Sequence, residues 1–274
     1  MESVLAHRVA MRRLLAEHGV AQPAFAAVRT LHEGRTALER VGGPAVLRPA
    51  DGVRGRGVFV VESQADLERH LHATLAESPT QEAILERPAR GERFVAVVRV
   101  EAGHAAVSAL AQALQPPSAG WFAPSSLVGD AAVAVEEAAA RSVRVLGVDS
   151  LMACVDLIAS ASGVEVVEVS PAPPRPELAA LLEASAARPA AVRLLTGPPG
   201  PLPKGRVRHV GTLDKVLAFP GVVAADVPVA VGETIEPMRV DAEPCGYVLA
   251  TAETNLEAIE RAEAAARLVD VDVW

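Results

Sequence analysis

The sequence predicts an α+β fold, and three observations carry that expectation. Segments with apolar residues at helical spacing are interleaved with short β-branched runs. Several of those runs follow one another with only a turn between them, which pairs them antiparallel rather than across helical crossovers. A Pro- and Gly-rich stretch over 197–205 (GPPGPLPKG) separates a long first part from a shorter second part. The second part reads β-α-β-β-α-β, the order of the ferredoxin-like split unit.

The elements follow in chain order. The spacing over 4–18 (VLAHRVAMRRLLAEH) predicts a helix stopped by Gly19, because glycine takes the left-handed conformation that ends helices. Val20 to Phe25, around Pro23, leads into VRTLHEGRTALERVGG, a short strand and a helix ended by Gly42 and Gly43. AVLRP (45–49) is a strand, followed by a glycine segment over 51–57, a strand over 58–61 and a helix over 63–77. EAILERP reads as a strand, and RFVAVVRVEAGHAAVSALAQ as two strands turned at Ala102 and Gly103. The Pro-, Ser- and Gly-rich stretch 115–126 reads as a loop, 131–146 as a helix, and 154–159 with 164–169 as a hairpin turned at 160–163. A helix over 177–187 precedes the linker. Beyond it come a strand (206–210), a helix (212–217), strands (222–229 and 246–250), a helix (255–268) and a strand (269–273).

Composition bounds the function. The chain has 274 residues, 50% hydrophobic and 22% charged, enough to bury a core in one large domain or two small ones. Aromatics are few (five Phe, two Trp, one Tyr) and the net charge is −8, which excludes a stacking nucleic-acid platform and a polybasic membrane anchor. Cys154 and Cys245 are too few for a disulfide framework and suit a reducing cytoplasm. The first 15 residues interleave Glu2, His7, Arg8, Arg12 and Arg13 with apolar residues, so they form neither a signal peptide nor a membrane span. The only lysines are Lys204 and Lys215, so before residue 204 any cation that holds a phosphate is an arginine or a histidine.

Three places carry candidate chemistry. Gly52, Gly55 and Gly57, interleaved with Arg54 and Arg56, form a loop whose backbone N–H groups can approach phosphate oxygens without a Cβ in the way. It matches neither the Walker loop nor the Rossmann fingerprint, and a surface turn rich in Gly and Arg is the competing reading. Asp156 and Glu168 lie on the two strands of one hairpin. Two carboxylates on one face suit Mg²⁺, which takes one or two carboxylates plus substrate phosphates; the alternative is two solvated acids. Glu86, Arg87 and Pro88 form a strand running into a Pro-containing bend, whose bare backbone groups suit an adenine ring, with Glu92 nearby for ribose hydroxyls. Other standouts have plainer readings. His18, His32, His70 and His72 fall on helix surfaces, and His104 beside a turn. Cys154 reads as a buried strand residue rather than a nucleophile, because no activating base adjoins it. Trp121 and Phe122, in the 115–126 loop, read as a lid or a partner contact.

The order MR-x-LL-x(3)-GV-x(2)-P, VLRPADGVRGRGV, ILERPARGE, LGVDSLMACVDL, VEVVEVSPAP resembles the ATP-grasp superfamily of carboxylate–amine and carboxylate–thiol ligases, from about Val4 to Glu183. The C-terminal segment is similar to the last lobe of some amino-acid ligases of that group. The resemblance implies a connecting helix (1–19), a small α+β lobe (20–90), a larger antiparallel-sheet lobe (91–196) and a C-terminal lobe (205–274). It implies ATP and Mg²⁺ as cofactors. Arg8 and Arg48 take the places of two phosphate-contacting lysines. Gly52, Arg54, Gly55, Arg56 and Gly57 belong to the loop over the triphosphate. Glu86, Arg87 and Pro88 match the adenine hinge, and Glu92 lies near the ribose acid. Asp156 and Glu168, with Ser170, match the metal ligands. The activity implied is phosphorylation of a small-molecule carboxylate by ATP and capture of the acyl phosphate by an amine or thiol.

Departures from the pattern are also plain. Arginine replaces lysine at both phosphate positions, keeping charge but exchanging a point charge for a fork. Family spacing puts Arg93 where the ribose acid is expected. Ser170 replaces an asparagine, Ala172 an arginine, and Cys154 a basic residue; Arg175 is the nearby arginine left for the catalytic place. The α/β domain that usually precedes this module is expected to be absent, leaving a cleft wall open to a protein partner or to self-association. These departures sustain an alternative: a degenerate, non-catalytic ATP-grasp protein acting as a partner or regulatory subunit.

Overall fold

The structure is a computed structural model that describes residues 2–52, 55–116, 119–148, 152–171, 175–238 and 243–274. Arg54 and Ala172 lie outside the described residues. The chain opens with α1 (Glu2–Leu5), α2 (Arg8–Glu17), β1 (Phe25–Val28), α3 (Leu31–Val41), β2 (Ala45–Pro49), β3 (Phe59–Val61), α4 (Gln64–Ala76) and β4 (Ala83–Glu86). It continues through β5 (Glu92–Glu101), β6 (His104–Ala113), β7 (Gly120–Ala123), α5 (Gly129–Val145), β8 (Met152–Ser160), β9 (Gly163–Ser170), α6 (Pro176–Ser185) and β10 (Ala190–Leu194). The last part holds β11 (Gly205–Val210), α7 (Asp214–Leu217), β12 (Val222–Asp226), β13 (Thr234–Ile235), β14 (Tyr247–Thr251), α8 (Asn255–Ala266) and β15 (Val271–Val273). Contacts divide the chain into two compact units.

The first unit comprises Met1–Glu92, Ala96–Ser108 and Val128–Ala172. Its antiparallel sheet runs β1-β4-β2-β3. The side chains of Val28, Leu47, Val61 and Leu85 meet Leu38 of α3 and Leu67 of α4 in one buried cluster. Both α3 and α4 start where a side chain satisfies a free amide. Thr30 and Glu33 form a reciprocal capping box at α3, and Ser63 accepts from the Asp66 amide at α4. In the same unit β6, β5, β8 and β9 lie side by side, and α5 packs on β8 and β9.

The expected helix over 4–18 is in fact two. His7 has extended backbone (φ −125°, ψ 101°) and its side chain accepts from the Ala10 amide, so it caps α2 instead of continuing α1. Histidine is an uncommon cap, so helical periodicity ran through the break unmarked.

The second unit comprises Arg93–Val95, Ala109–Leu127 and Pro173–Trp274. Its strands run β12-β14-β10-β7, followed by the end of β6. Two of them escape the sequence reading. β7 lies inside the stretch expected to be a loop, and it pairs with both β6 and β10. Trp121 is 1% exposed and Phe122 9%, so the pair is core and neither lid nor partner contact. Proline and glycine on both sides gave the segment a loop's composition, while four buried residues between two neighbours make it a strand.

Beyond the linker the β-α-β-β-α-β order is present, with β13 added. β11 pairs with β15 and β12 with β14, the pairings of a split unit. The two pairs fall in separate sheets, because β10 occupies the free edge of β14. Among the described residues no helix is long and apolar enough to cross a membrane.

Candidate functional site

Within the first unit, α2 carries Arg8 and Arg12 one turn apart, on the same face. Arg12 is 1% exposed. It donates to the Glu86 carboxylate, to the Val166 carbonyl (2.9 Å) and to Gln22 Oε1 (3.3 Å). Glu86 ends β4, 6% exposed. Strand register pairs Val46 with Glu86 and Arg48 with Ile84, so Arg48 and Glu86 share a face as diagonal neighbours. Arg48 Nε lies 3.2 Å from Glu86 Oε1. A buried carboxylate thus sits between two guanidiniums. Burial alone would push its pKa up, but the charges of Arg48, Arg12 and Arg8 outweigh burial and hold it below the usual carboxylate value.

Arg8 begins α2. Its amide donates to the Ala50 carbonyl (2.7 Å), and Val9 is buried with Ala50 and Ile84. One Nη donates to the Pro49 carbonyl (3.4 Å) and the other to Glu168 Oε1 (3.3 Å). The arginine therefore bridges the end of β2, where the glycine segment starts, to the β8–β9 hairpin. In that hairpin Asp156 is the register partner of Glu168, and Cys154 of Ser170, with a bulge just past Asp156. Because residues two apart share a strand face, all four lie on one face. Directly opposed like charges repel unless a cation lies between them. Burial, then the charge of Asp156, pushes the Cys154 thiol up to about 11, so at neutral pH it is no thiolate nucleophile.

The residues fit Mg²⁺ held jointly with phosphates. Asp156, Glu168 and Ser170 offer oxygen donors on one face, yet among the described residues no group of three or more His, Cys, Asp or Glu could hold a metal ion. A magnesium ion here would draw its other ligands from phosphate and water, its usual habit.

The remaining candidates are placed as follows. Gly52, Gly55, Arg56 and Gly57 lie in the connection between β2 and β3, with Gly52, Gly55 and Arg56 exposed. Gly52 has φ 108°, and a Cβ there would stand 2.4 Å from the Glu77 carbonyl oxygen, so only glycine fits. Arg87 spends its amide on the Ala24 carbonyl (2.8 Å), and its guanidinium lies 3.5 Å from Glu165. Arg87 and Pro88 line a cavity of about 520 Å³ with the Gly42–Pro44 turn, Ser160 and Ser162. Glu92 is exposed at the start of β5. Arg175 belongs to the second unit, at the N-cap of α6. Its Nε is 3.2 Å from Glu177 and its guanidinium 5.9 Å from the Trp121 ring centre, with Arg93 at 5.6 Å from the same ring.

Arg12 is the residue that sequence reasoning passed over. The signal was there: Val9, Arg12 and Leu15 recur at threes, so the arginine lies inside the buried stripe of its helix and needs a buried partner.

Comparison with known proteins bears on this arrangement. An L-amino acid ligase C-terminal domain 2 profile matches residues 201–273. The carbamoyl phosphate synthase large chain of Rubrobacter xylanophilus is 33% identical over 75 residues, 27% of this chain and 7% of that protein. The N-terminal section of the Aquifex aeolicus large chain is 28% identical over 140 residues, 48% of this chain and 25% of that protein. This chain therefore spans a quarter or less of the curated relatives it matches. In fold, it is similar to the crystal structure of an L-amino acid ligase from Bacillus licheniformis, with a TM-score of 0.76, 17% identity and coverage of 99% of this chain and 73% of that one. An ATP-grasp domain profile matches residues 13–176, more than half of the sequence, and takes in Arg48, Glu86, Asp156 and Glu168 together: the chain belongs to the ATP-grasp family.

Proposed function

We propose that the first unit binds ATP with Mg²⁺ and that the protein is an ATP-dependent carboxylate–amine or carboxylate–thiol ligase. The observation behind this reading is the opposed Asp156–Glu168 pair, bridged by Arg8 to the strand end that carries Arg48 and the glycine segment. ATP, when bound, supplies the phosphoryl group that activates a carboxylate, and Mg²⁺ neutralises charge on it. The chain's own work is positioning and charge. Arg8 and Arg48 hold phosphate oxygens. Asp156, Glu168 and Ser170 hold the metal ion. Gly52, Gly55, Arg56 and Gly57 cover the phosphates. Arg87 and Pro88 meet the base, with Glu92 toward the ribose. The similarity to ligases supports a small carboxylic acid as the acceptor.

A second reading, a non-catalytic ATP-grasp partner or regulatory subunit, is favoured by one observation. Carboxylates already engage both phosphate-facing arginines, Glu168 on Arg8 and Glu86 on Arg48.

Calorimetric titration with ATP tests the binding site. Arg48→Ala is expected to weaken affinity by about tenfold or more, the scale of one charge-assisted contact of 1.5–3 kcal/mol. Glu168→Ala is expected to abolish the dependence on Mg²⁺. Equal affinity in wild type and both variants would show that the nucleotide binds elsewhere. Given binding, ADP release that rises with a pool of amino acids selects the ligase, and its absence selects the second reading.

A further inference from the structure

We infer that Arg8 is a placeholder cation, which occupies Glu168 and keeps free divalent metal off the Asp156–Glu168 pair until a nucleotide draws the guanidinium away. The inference rests on the reading of that pair as the metal-facing one. Four observations carry it. The Arg8 guanidinium lies 3.3 Å from Glu168 Oε1, on the carboxylate a metal ion would use. Arg8 is not free to wander: its amide is 2.7 Å from the Ala50 carbonyl oxygen, its other Nη is 3.4 Å from the Pro49 carbonyl oxygen, and the next residue, Val9, is buried. Asp156 faces Glu168 across the hairpin, so the pair needs a positive charge in every state of the site. Finally, Arg8 Nε is a buried donor with no hydrogen-bond partner among the described residues, so the guanidinium keeps capacity for an incoming acceptor such as a phosphate oxygen.

A guanidinium and a divalent ion on one carboxylate repel each other. With arginine in place, one of the two negative charges is offset, and the two carboxylates are too few to hold a metal by themselves. A nucleotide phosphate changes both terms. It accepts the Arg8 fork, frees Glu168, and supplies the oxygens that the metal lacks. Metal and nucleotide then enter together, and metal alone stays out.

The test uses Mn²⁺ as the probe and the whole chain without nucleotide, with binding read from the electron paramagnetic resonance signal of free Mn²⁺. Wild type is expected to bind weakly. Arg8→Gln is expected to bind Mn²⁺ at least about tenfold more tightly, the scale of removing one unit charge a few ångströms from a divalent ion in a partly exposed site. Arg8→Lys keeps the charge and is expected to behave as wild type. Adding Glu168→Gln to Arg8→Gln is expected to remove the gained binding. Equal Mn²⁺ affinity in wild type and Arg8→Gln overturns the inference, as does gained binding that survives Glu168→Gln. A second measurement needs no variant: wild type should bind Mn²⁺ more tightly with ADP than without, and equal affinity again overturns the inference. Failure of wild type to bind ADP at all counts against the nucleotide site itself, while the arms without nucleotide still judge the role of Arg8.

Discussion

Arg12→Ala is expected to cost about 3–5 kcal/mol of folding stability, the scale for removing one partner of a buried ion pair. The reason is what the substitution leaves behind. Glu86 keeps Arg48 but loses its direct donor, and the buried Val166 carbonyl and Gln22 side chain lose theirs. Urea denaturation of the two proteins measures the difference, and a loss below about 1 kcal/mol would show that water replaces the guanidinium. An apolar exchange of both partners, Arg12→Met with Glu86→Leu, is expected to recover only part of the loss, because it removes the buried carboxylate but also takes from Arg48 the carboxylate 3.2 Å away. The same cluster makes the chain acid-sensitive. The Glu86 pKa is held below its ordinary 4.5, so its contribution is complete above that value. As pH falls below it, the unfolded chain takes up the proton first, and stability declines until the native carboxyl protonates as well. Urea midpoints should therefore fall more steeply with acid in wild type than in Glu86→Gln; parallel curves would refute the assignment.

Trp121→Ala is expected to be as damaging, about 3–5 kcal/mol, by opening a cavity in the second unit. The ring is 1% exposed, on a strand hydrogen-bonded on both sides, and the guanidiniums of Arg93 and Arg175 lie on it. Trp121→Phe keeps the strand and most of the volume and should lose much less. Thermal unfolding followed by circular dichroism checks both. An unchanged midpoint in Trp121→Ala would mean that the residue behaves as the exposed loop position its neighbours suggest.

Much of the fold was legible because its determinants are local. The α3 helix is written in an apolar period bounded by Thr30 and Glu33 at one end and Gly42 at the other. The β8–β9 hairpin is written in two β-branched runs and a turn ending at Gly163, but the register set by that turn would oppose Asp156 to Val167, and only the bulge just past Asp156 brings Glu168 opposite it. The ordered motifs, from the first helix to the acids of the hairpin, carried the family.

Tertiary structure decided what depends on partners far along the chain. β7 and β10 are short: β10 takes the hydrogen bonds of both edges from strands distant in sequence, and β7 those of the edge that faces β10. The unexpected core position of Trp121 follows from that. The break at His7 rests on one side-chain cap that periodicity does not register. In the charged cluster, composition pointed to arginines as phosphate-facing cations, but not to the carboxylates that would meet them. Arg12 meets Glu86 across 74 positions and Arg8 meets Glu168 across 160. A charge buried in water-poor surroundings must find an opposite charge, and which one it finds is settled by the packing of α2 against β4 and the hairpin, a property of the folded chain and not of any segment within it.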